Sequence, residues 1–246
     1  MNVLVLGLPG SGCSSLTAAL RAYGLDAHES SLGAQQWPTS APSQLDSDPV
    51  STRADAANQE SEWPAHMRSH VDAVVVAASA RDGINDELAS TWEALAENYI
   101  PRILVWTFSD VGRADDDDMR AIAERVLGEP TIAVALPLAD DLDDFAGVLD
   151  LRDWQISDAG GVRDADAEHH DAAANLRDEL IDAVLTVVDD ESAVAQRMSG
   201  MEPNATRLRA LVAQAFRSGQ FVPSMAVKAT EPMIGIEVLA DVLRGE

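Results

Sequence analysis

A glycine-rich segment near the start of the chain has the residue types and spacing of a phosphate-binding loop. It reads Gly7-Leu8-Pro9-Gly10-Ser11-Gly12-Cys13-Ser14. The complete pattern is a glycine, four residues, a glycine, a lysine and then a serine or threonine, placed between a strand and a helix. Backbone amides in such a loop bind anions together with the helix N-terminus, and the hydroxyl at the place of Ser14 holds magnesium. The predicted phosphate contacts are Gly7, Gly10, Gly12, Cys13, Ser14 and Ser15, and Ser14 is also the predicted Mg ligand.

One element of the pattern is missing, because Cys13 stands where the lysine belongs. Removing one partner of a desolvated charge pair costs roughly 2–5 kcal/mol, and a thiol cannot replace that charge. Stabilisation of a phosphoryl-transfer transition state suffers as well. We therefore expect no efficient hydrolysis. Two interpretations stay open: a loop that retains weak phosphate binding, and a loop that serves only as a strand-to-helix turn.

The elements that must position this loop alternate between apolar runs and amphipathic segments. This alternation predicts an α/β fold of three layers, with a mostly parallel central sheet and helices on both faces. Strands are predicted at 3–6, 73–78, 103–106, 131–136, 145–151 and 222–226, and loops at 26–53 and 160–170. Helices are predicted at 14–23, 86–98, 119–127, 176–188, 192–198, 205–217 and 235–243.

Charge and cysteine content exclude several classes of protein. The 246 residues carry 17 basic and 42 acidic side chains, a formal net charge of −25. Such a field repels nucleic-acid backbones and anionic lipid, so general nucleic-acid binding and a membrane partner are not expected. A single cysteine excludes an internal disulfide framework. No signal peptide or membrane-spanning run is apparent, and a cytoplasmic setting is expected.

A second motif resembles the guanine-specificity segment of bacterial elongation factor G. It covers residues 100–110, Ile-Pro-Arg-Ile-Leu-Val-Trp-Thr-Phe-Ser-Asp. In that family a strand ends in Asn-Lys-Met-Asp. Thr107 stands for the asparagine, Phe108 for the lysine, and Asp110 for the aspartate that binds the guanine ring. The resemblance places Lys228 and Ala229 in the family's Ser-Ala guanine loop, with alanine kept and serine replaced by the only lysine of the chain.

The resemblance extends through several weaker pieces that occur in the family's order. They include 71–76 with 81–84, 136–151 and 179–184. It implies a GTPase-like domain of the P-loop NTPase superfamily, without that family's later domains. On this interpretation residues 1–246 form a single domain, with a flexible loop at about 26–53 and an inserted acidic subdomain at about 138–220. The implied cofactor is GTP or GDP with Mg.

The departures from that family are informative too. No convincing switch threonine is found, and the best candidate for the second switch motif is the segment 62–66, Glu-Trp-Pro-Ala-His, set against Asp-Thr-Pro-Gly-His. His66 is therefore read as a surface residue more readily than as one that positions water. His169 and His170 lie in an acidic stretch with Asp166 and Asp171; exposed polar residues are the favoured interpretation over a metal site.

Three functions follow from these observations. The favoured hypothesis is a catalytically silent relative of the translational GTPase domain, a regulatory or interaction module with an unknown protein partner and weak or no guanine-nucleotide binding. The alternative is a slow GTPase that a partner completes. A small-molecule kinase with a P-loop is less favoured, since the guanine-loop resemblance and the insertion argue against it.

Overall fold

A computed structural model of the chain describes residues 1–32, 70–107, 116–140 and 144–245. The strands are β1 (Asn2–Gly7), β2 (Asp26–Ser31), β3 (Ala73–Ser79), β4 (Arg102–Thr107), β5 (Ile132–Ala133), β6 (Ala135–Ala139), β7 (Phe145–Asp150), β8 (Gln155–Asp158), β9 (Gly161–Asp164) and β10 (Pro223–Ala226). The helices are α1 (Cys13–Ala22), α2 (Asp86–Glu97), α3 (Asp116–Leu127), α4 (Ala167–Val187), α5 (Glu191–Met198), α6 (Ala205–Arg217) and α7 (Ile236–Arg244).

Six strands form one parallel sheet in the order β2-β1-β3-β4-β10-β5, and helices flank it. Every residue of β3 and β4 is buried, as expected for strands covered on both faces. The predicted α/β fold with a parallel central sheet is confirmed, including the parallel pairing of β3 with β4.

The predicted helices are present, with ends shifted by a few residues. In α2 the predicted apolar stripe of Leu88, Trp92 and Leu95 is fully buried, and the Asn85 side chain caps the helix by accepting from the Leu88 amide. α6 has the predicted bounds, and Asn204 caps it in the same way. The main extension is α4, which begins at Ala167 and not near residue 176. Its early turns are mostly polar, so an apolar stripe alone did not reveal them.

One predicted strand is in fact two, in two different sheets. The run 131–136 divides into β5, which joins the parallel sheet, and β6, which begins a four-stranded antiparallel sheet of order β6-β7-β8-β9. Val134 lies at the division. Its amide donates to Ser224 O of β10 (3.0 Å), and its carbonyl accepts from the Leu151 amide (3.0 Å). These two partners redirect a chain whose apolar sequence is continuous.

Two predicted loops were partly wrong. Residues 26–31 form β2, which pairs in parallel with β1 along its whole length. Only Ala27 is buried in this strand, since it lies at the edge of the sheet, so its sequence lacks the apolar signal of an interior strand. The remainder of the predicted loop, 33–53, lies outside the described residues. Residues 161–164 form β9 against β8, and α4 begins after an N-cap at Asp166.

The chain between β5 and β10 forms the antiparallel sheet and helices α4 to α6, and it returns so that β10 lies between β4 and β5. The prediction of one domain with an insertion at about 138–220 stays a prediction. Among the described residues, no helix combines the length and apolar character needed to cross a membrane.

Candidate functional site

The glycine loop lies at the carboxyl end of β1, next to the central strands of the sheet. Gly7 ends β1, and Gly12 is the N-cap of α1. Gly10 and Gly12 have φ angles of 88° and 83°, in the left-handed region that favours glycine. In open parallel sheets ligands bind outside the carboxyl ends of the strands. The strand, loop and helix therefore have the order and position that the motif requires.

The underside of the loop is filled by two of its own side chains. A Cβ atom on Gly7 would overlap Ser11 Oγ and would lie 2.6 Å from both Cys13 Sγ and the carbonyl oxygen of Ala77. Ser11 Oγ and Cys13 Sγ are 3.3 Å apart, and both residues are buried. The side chain at the lysine position is therefore directed beneath the loop, against the end of β1.

Burial also favours the neutral form of this thiol. Removal from water raises the pKa of Cys13; the negative charge of Glu29 adds to that rise, and the hydrogen bond with Ser11 opposes it. The thiol is consequently neutral at pH 7, neither a nucleophile nor a charged partner for an anion. Cys13 was predicted among the phosphate contacts, and in the structure only its backbone amide is suited to that task.

The N-terminus of α1 is the least protected helix start in the described part of the chain. Its N-cap is Gly12, without a side-chain hydrogen bond, and its first turn holds no acidic residue. Each of the other helices has a side-chain cap, an acidic first turn or both. Ser14 and Ser15 are exposed in that first turn. This leaves amides and hydroxyls that an anion can contact.

Thr107 joins the end of β4 to the loop. Its hydroxyl donates to the carbonyl oxygen of Ser11 at 2.6 Å and lies 3.3 Å from that of Ala78. The side chain is buried, so this hydroxyl serves the fold and is not directed to a ligand. Thr107 was predicted as a base contact in the guanine motif. Asp110 and Phe108, the other members of that motif, lie outside the described residues, as do the second-switch candidate 62–66 and His66.

The predicted guanine loop after β10 lies at the same edge of the sheet. The Val227 amide donates to Trp106 O at 2.9 Å, so the chain leaving β10 runs beside the end of β4. Lys228 and Ala229 follow, both half-buried. The backbone of Lys228 forms two hydrogen bonds of 3.0 Å with Ile234, which closes a small loop. The structure therefore brings Thr107 and the segment 228–229 to neighbouring strand ends.

Two residues at this edge were missed from the sequence. Ser11 supplies both the thiol's hydrogen-bond partner and the carbonyl that binds Thr107. The sequence signal that could have indicated Ser11 is its hydroxyl, two positions before the cysteine that replaces the lysine. Asp82 lies in the turn after β3, where hydrogen bonds from Arg81 and Ser79 lower the pKa of its carboxyl group. The hydrogen bonds of Asp82 are thus satisfied within its own turn.

The two histidines considered for a metal have protein partners. His169 Nδ1 lies 2.6 Å from Asp166 Oδ1, and this contact lowers the pKa of Asp166. The His170 ring stacks on Trp154 with centroids 4.2 Å apart. Within the described ranges no group of three or more His, Cys, Asp or Glu side chains is arranged to hold a metal. Both histidines take part in the start of α4 and its packing.

Fold and loop together define a class: an α/β protein whose first strand leads through a glycine loop into a helix at the carboxyl edge of a parallel sheet. No protein-family profile matches the chain. The crystal structure of ttk003000868 from Thermus thermophilus is similar, with a TM-score of 0.69 and 22% sequence identity over 100% of this chain. The chain spans only 40% of that protein's length. At this identity the likeness shows the fold alone.

Proposed function

We propose that this chain is a catalytically silent relative of the elongation factor G GTPase domain, acting as a regulatory or interaction module for a protein partner. Guanine nucleotide is bound weakly at most. The observation that carries the proposal is the position of Cys13 Sγ, buried beneath the loop within 3.3 Å of Ser11 Oγ. The loop thus lacks a mobile cation at the place where charge develops during phosphoryl transfer. A reduced cytoplasmic setting suits the single cysteine.

The fit to GTP or GDP with Mg is partial. The open amides at the start of α1 and the exposed hydroxyl of Ser14 are suited to a phosphate and its magnesium. Thr107 does not fit the role of a base contact, because its hydroxyl is bound by the protein. Lys228 and Ala229 are candidates for the base side. The remaining groups support weak anion binding and no turnover.

Titration calorimetry of the purified chain with GDP, GTP and ATP tests the nucleotide part of the proposal. Turnover of GTP is expected to be no faster than the slow intrinsic rate of switch GTPases, on the order of 10⁻⁴ per second. Steady turnover of about one per second that is lost in Ser14→Ala would refute the proposal, because mutant kinetics of that kind report transition-state stabilisation. Preference for ATP with phosphate transfer would favour the kinase.

The Cys13→Lys variant separates a residual phosphate site from a simple turn. If the amides still form a phosphate site, the added charge should raise GDP affinity about tenfold or more. Asp110→Asn in that background should then weaken guanine binding. Cys13→Ala is the control, since it removes the thiol without adding charge. No GDP binding by Cys13→Lys, with a native circular dichroism spectrum, would leave the interaction role without a nucleotide.

The alternative, a slow GTPase completed by a partner, draws support from the open start of α1 and the exposed Ser14. It predicts guanine-specific binding by the unmodified chain. A protein partner would then have to supply the missing cation, as arginine fingers do in other GTPases.

A further inference from the structure

We propose that the groove between α2 and α3 is a docking surface for a basic amphipathic helix of a partner protein. This inference names a surface for the interaction role proposed above and rests on that role. The groove lies between the helices that follow β3 and β4 and has a volume of about 580 Å³. It does not include the glycine loop.

One face of α2 forms the first wall. The residues that line the groove recur every three or four positions, which places them on a single helix face. They are Asp86, Ala89, Ser90, Glu93, Ala96 and Glu97. Short side chains alternate with carboxylates along this face, so there is space between the acidic side chains for the side chains of a partner. At 1.5 Å per residue, the twelve residues of α2 give it a length of about 18 Å, or three helical turns.

The second wall is apolar and comes from the carboxyl-terminal end of α3. Val126 and Leu127 line the groove, and Ile122 lies one turn earlier on the same side of the helix as Val126. Ile122 is 41% exposed and Val126 37%. Two exposed β-branched aliphatic residues four positions apart form a stripe that fits the apolar face of another helix.

The charge of the groove selects the partner. Four carboxylates line it, those of Asp86, Glu93, Glu97 and Glu129, and no lysine or arginine is among its lining residues. Glu129 is paired with the buried Arg102, so the other three carboxylates are the ones that attract a basic partner. Within a chain of net charge −25, this arrangement repels nucleic acid, anionic lipid and a second copy of the same face. Arginine or lysine side chains that flank an apolar stripe would be complementary to it.

The far end of the groove is held in place by buried contacts. The Glu129 carboxylate accepts hydrogen bonds from Arg102 Nη2 and Trp92 Nε1. The Arg102 guanidinium also lies over the Trp92 ring, 5.1 Å from its centroid. Trp92 on α2 and Arg102 on β4 are both buried. The groove is therefore preformed, which lowers the ordering cost of binding a helix.

The probe is a synthetic peptide of about 15 residues, the length at which an isolated helix begins to be stable in water. It carries leucines at helical spacing, flanked by arginines. One control peptide has the same composition in scrambled order, and another has glutamates in place of the arginines. Fluorescence anisotropy of the labelled peptides against the full chain measures affinity. The first peptide alone should bind, and its affinity should fall as salt is raised.

Matched variants locate the binding site. Glu93→Lys with Glu97→Lys should weaken peptide binding about tenfold or more, because attraction becomes repulsion. The control, Glu87→Lys with Glu124→Lys, makes the same charge change on exposed positions of the same helices outside the groove, and should alter affinity less than about twofold. Val126→Asp should weaken binding, whereas Val162→Asp, at an exposed valine on β9, should not.

Several results would overturn the groove proposal. These are no peptide binding, equal binding of the scrambled peptide, or equal loss in the two charge variants. Sedimentation showing a dimer that Val126→Asp dissociates would instead assign the face to a second copy. The same protein samples are assayed for GTP turnover. Rapid turnover would refute the silent-module proposal whatever the peptide does, while peptide failure without turnover refutes only the groove.

Discussion

The β7–β8 turn and the glycine loop differ in their use of charged side chains: the first is built around arginines and the second has none. In the turn that joins β7 to β8, Arg152 is 1% exposed and donates to the Asp150 carboxylate at 2.7 Å. Arg177 donates to Leu151 O and Arg209 to Asp153 Oδ2 in the same turn. The glycine loop, residues 7–15, contains no charged side chain at all. Beneath the loop, the Ser11 hydroxyl lies against the Cys13 thiol, and both groups are uncharged.

The difference shows where an acidic protein uses its few cations. A buried guanidinium needs fixed carboxylates and carbonyls around it, and the β7–β8 turn supplies both. That turn also holds Trp154 at a φ of 65°. Its ring stacks on His170 and contacts the Arg177 guanidinium, which lies 4.8 Å from the ring centroid. The ion pairs of the β7–β8 turn therefore stabilise one conformation of that turn. The glycine loop is held by Thr107 and by packing on β1, and it leads into α1, whose first turn has no side-chain cap and no acidic residue.

The largest expected effect is the loss of the buried ion pair in Asp150→Ala. Arg152 would keep its charge in a site with 1% exposure, so the free energy of unfolding should fall by about 3–5 kcal/mol. Asp178→Ala is the control. Asp178 pairs with Arg197, which also binds Asp182 at the surface, and the change should cost less than about 1 kcal/mol. Urea denaturation measures both, and equal losses would show that the pair in the β7–β8 turn stabilises the fold no more than a surface pair does.

A smaller loss is expected for Gly7→Ala. The added methyl would lie under 3 Å from Ser11 Oγ, Cys13 Sγ and the Ala77 carbonyl, and the last is backbone that cannot turn aside. Overpacking of this kind costs roughly 1–3 kcal/mol. Ser15→Ala, at an exposed position of α1, should change stability by less than about 0.5 kcal/mol. A wild-type melting temperature for Gly7→Ala would show that the space beneath the loop is not filled as described.

The smallest effect concerns pH. Burial raises the pKa of Cys13, so above about pH 8.5 the unfolded chain loses this proton before the folded chain does. The free energy of unfolding of the wild type should therefore fall as pH rises through that range. Cys13→Ala should lack this contribution. Tyr23, whose pKa is also raised, remains in both proteins and cancels in the difference. Parallel pH slopes in the two proteins would show an exposed thiol.

Most of the fold could be predicted because most of its elements carry their own signal. β1, β3 and β4 are continuous apolar runs, and α2 and α6 are amphipathic segments with asparagine caps. β2 was missed because an edge strand buries little, and its polar residues read as a loop. The split between β5 and β6 depends on hydrogen bonds to residues far along the chain, which the local sequence does not report.

The site could be predicted only as an outline. The spacing of Gly7, Gly12 and Ser14 predicts a loop between a strand and a helix, and the loop is found there. The inward direction of Cys13 depends on how the loop packs on β1 and β3, so residue type alone does not give it. The bond from Thr107 to Ser11 O joins residues 96 positions apart. Tertiary contacts of this kind decide whether a motif residue faces a ligand or the core.

Val134 is hydrogen-bonded to both sheets, so local unfolding of one sheet is coupled to local unfolding of the other. One residue donates from its amide to β10 in the parallel sheet, and the same residue accepts at its carbonyl from Leu151, beyond the end of β7. Amide hydrogen exchange reports such coupling as shared opening of a cooperative unit. The antiparallel sheet cannot rotate about the β5–β6 junction without breaking one of these hydrogen bonds. The junction is therefore a rigid connection between the two sheets and not a hinge.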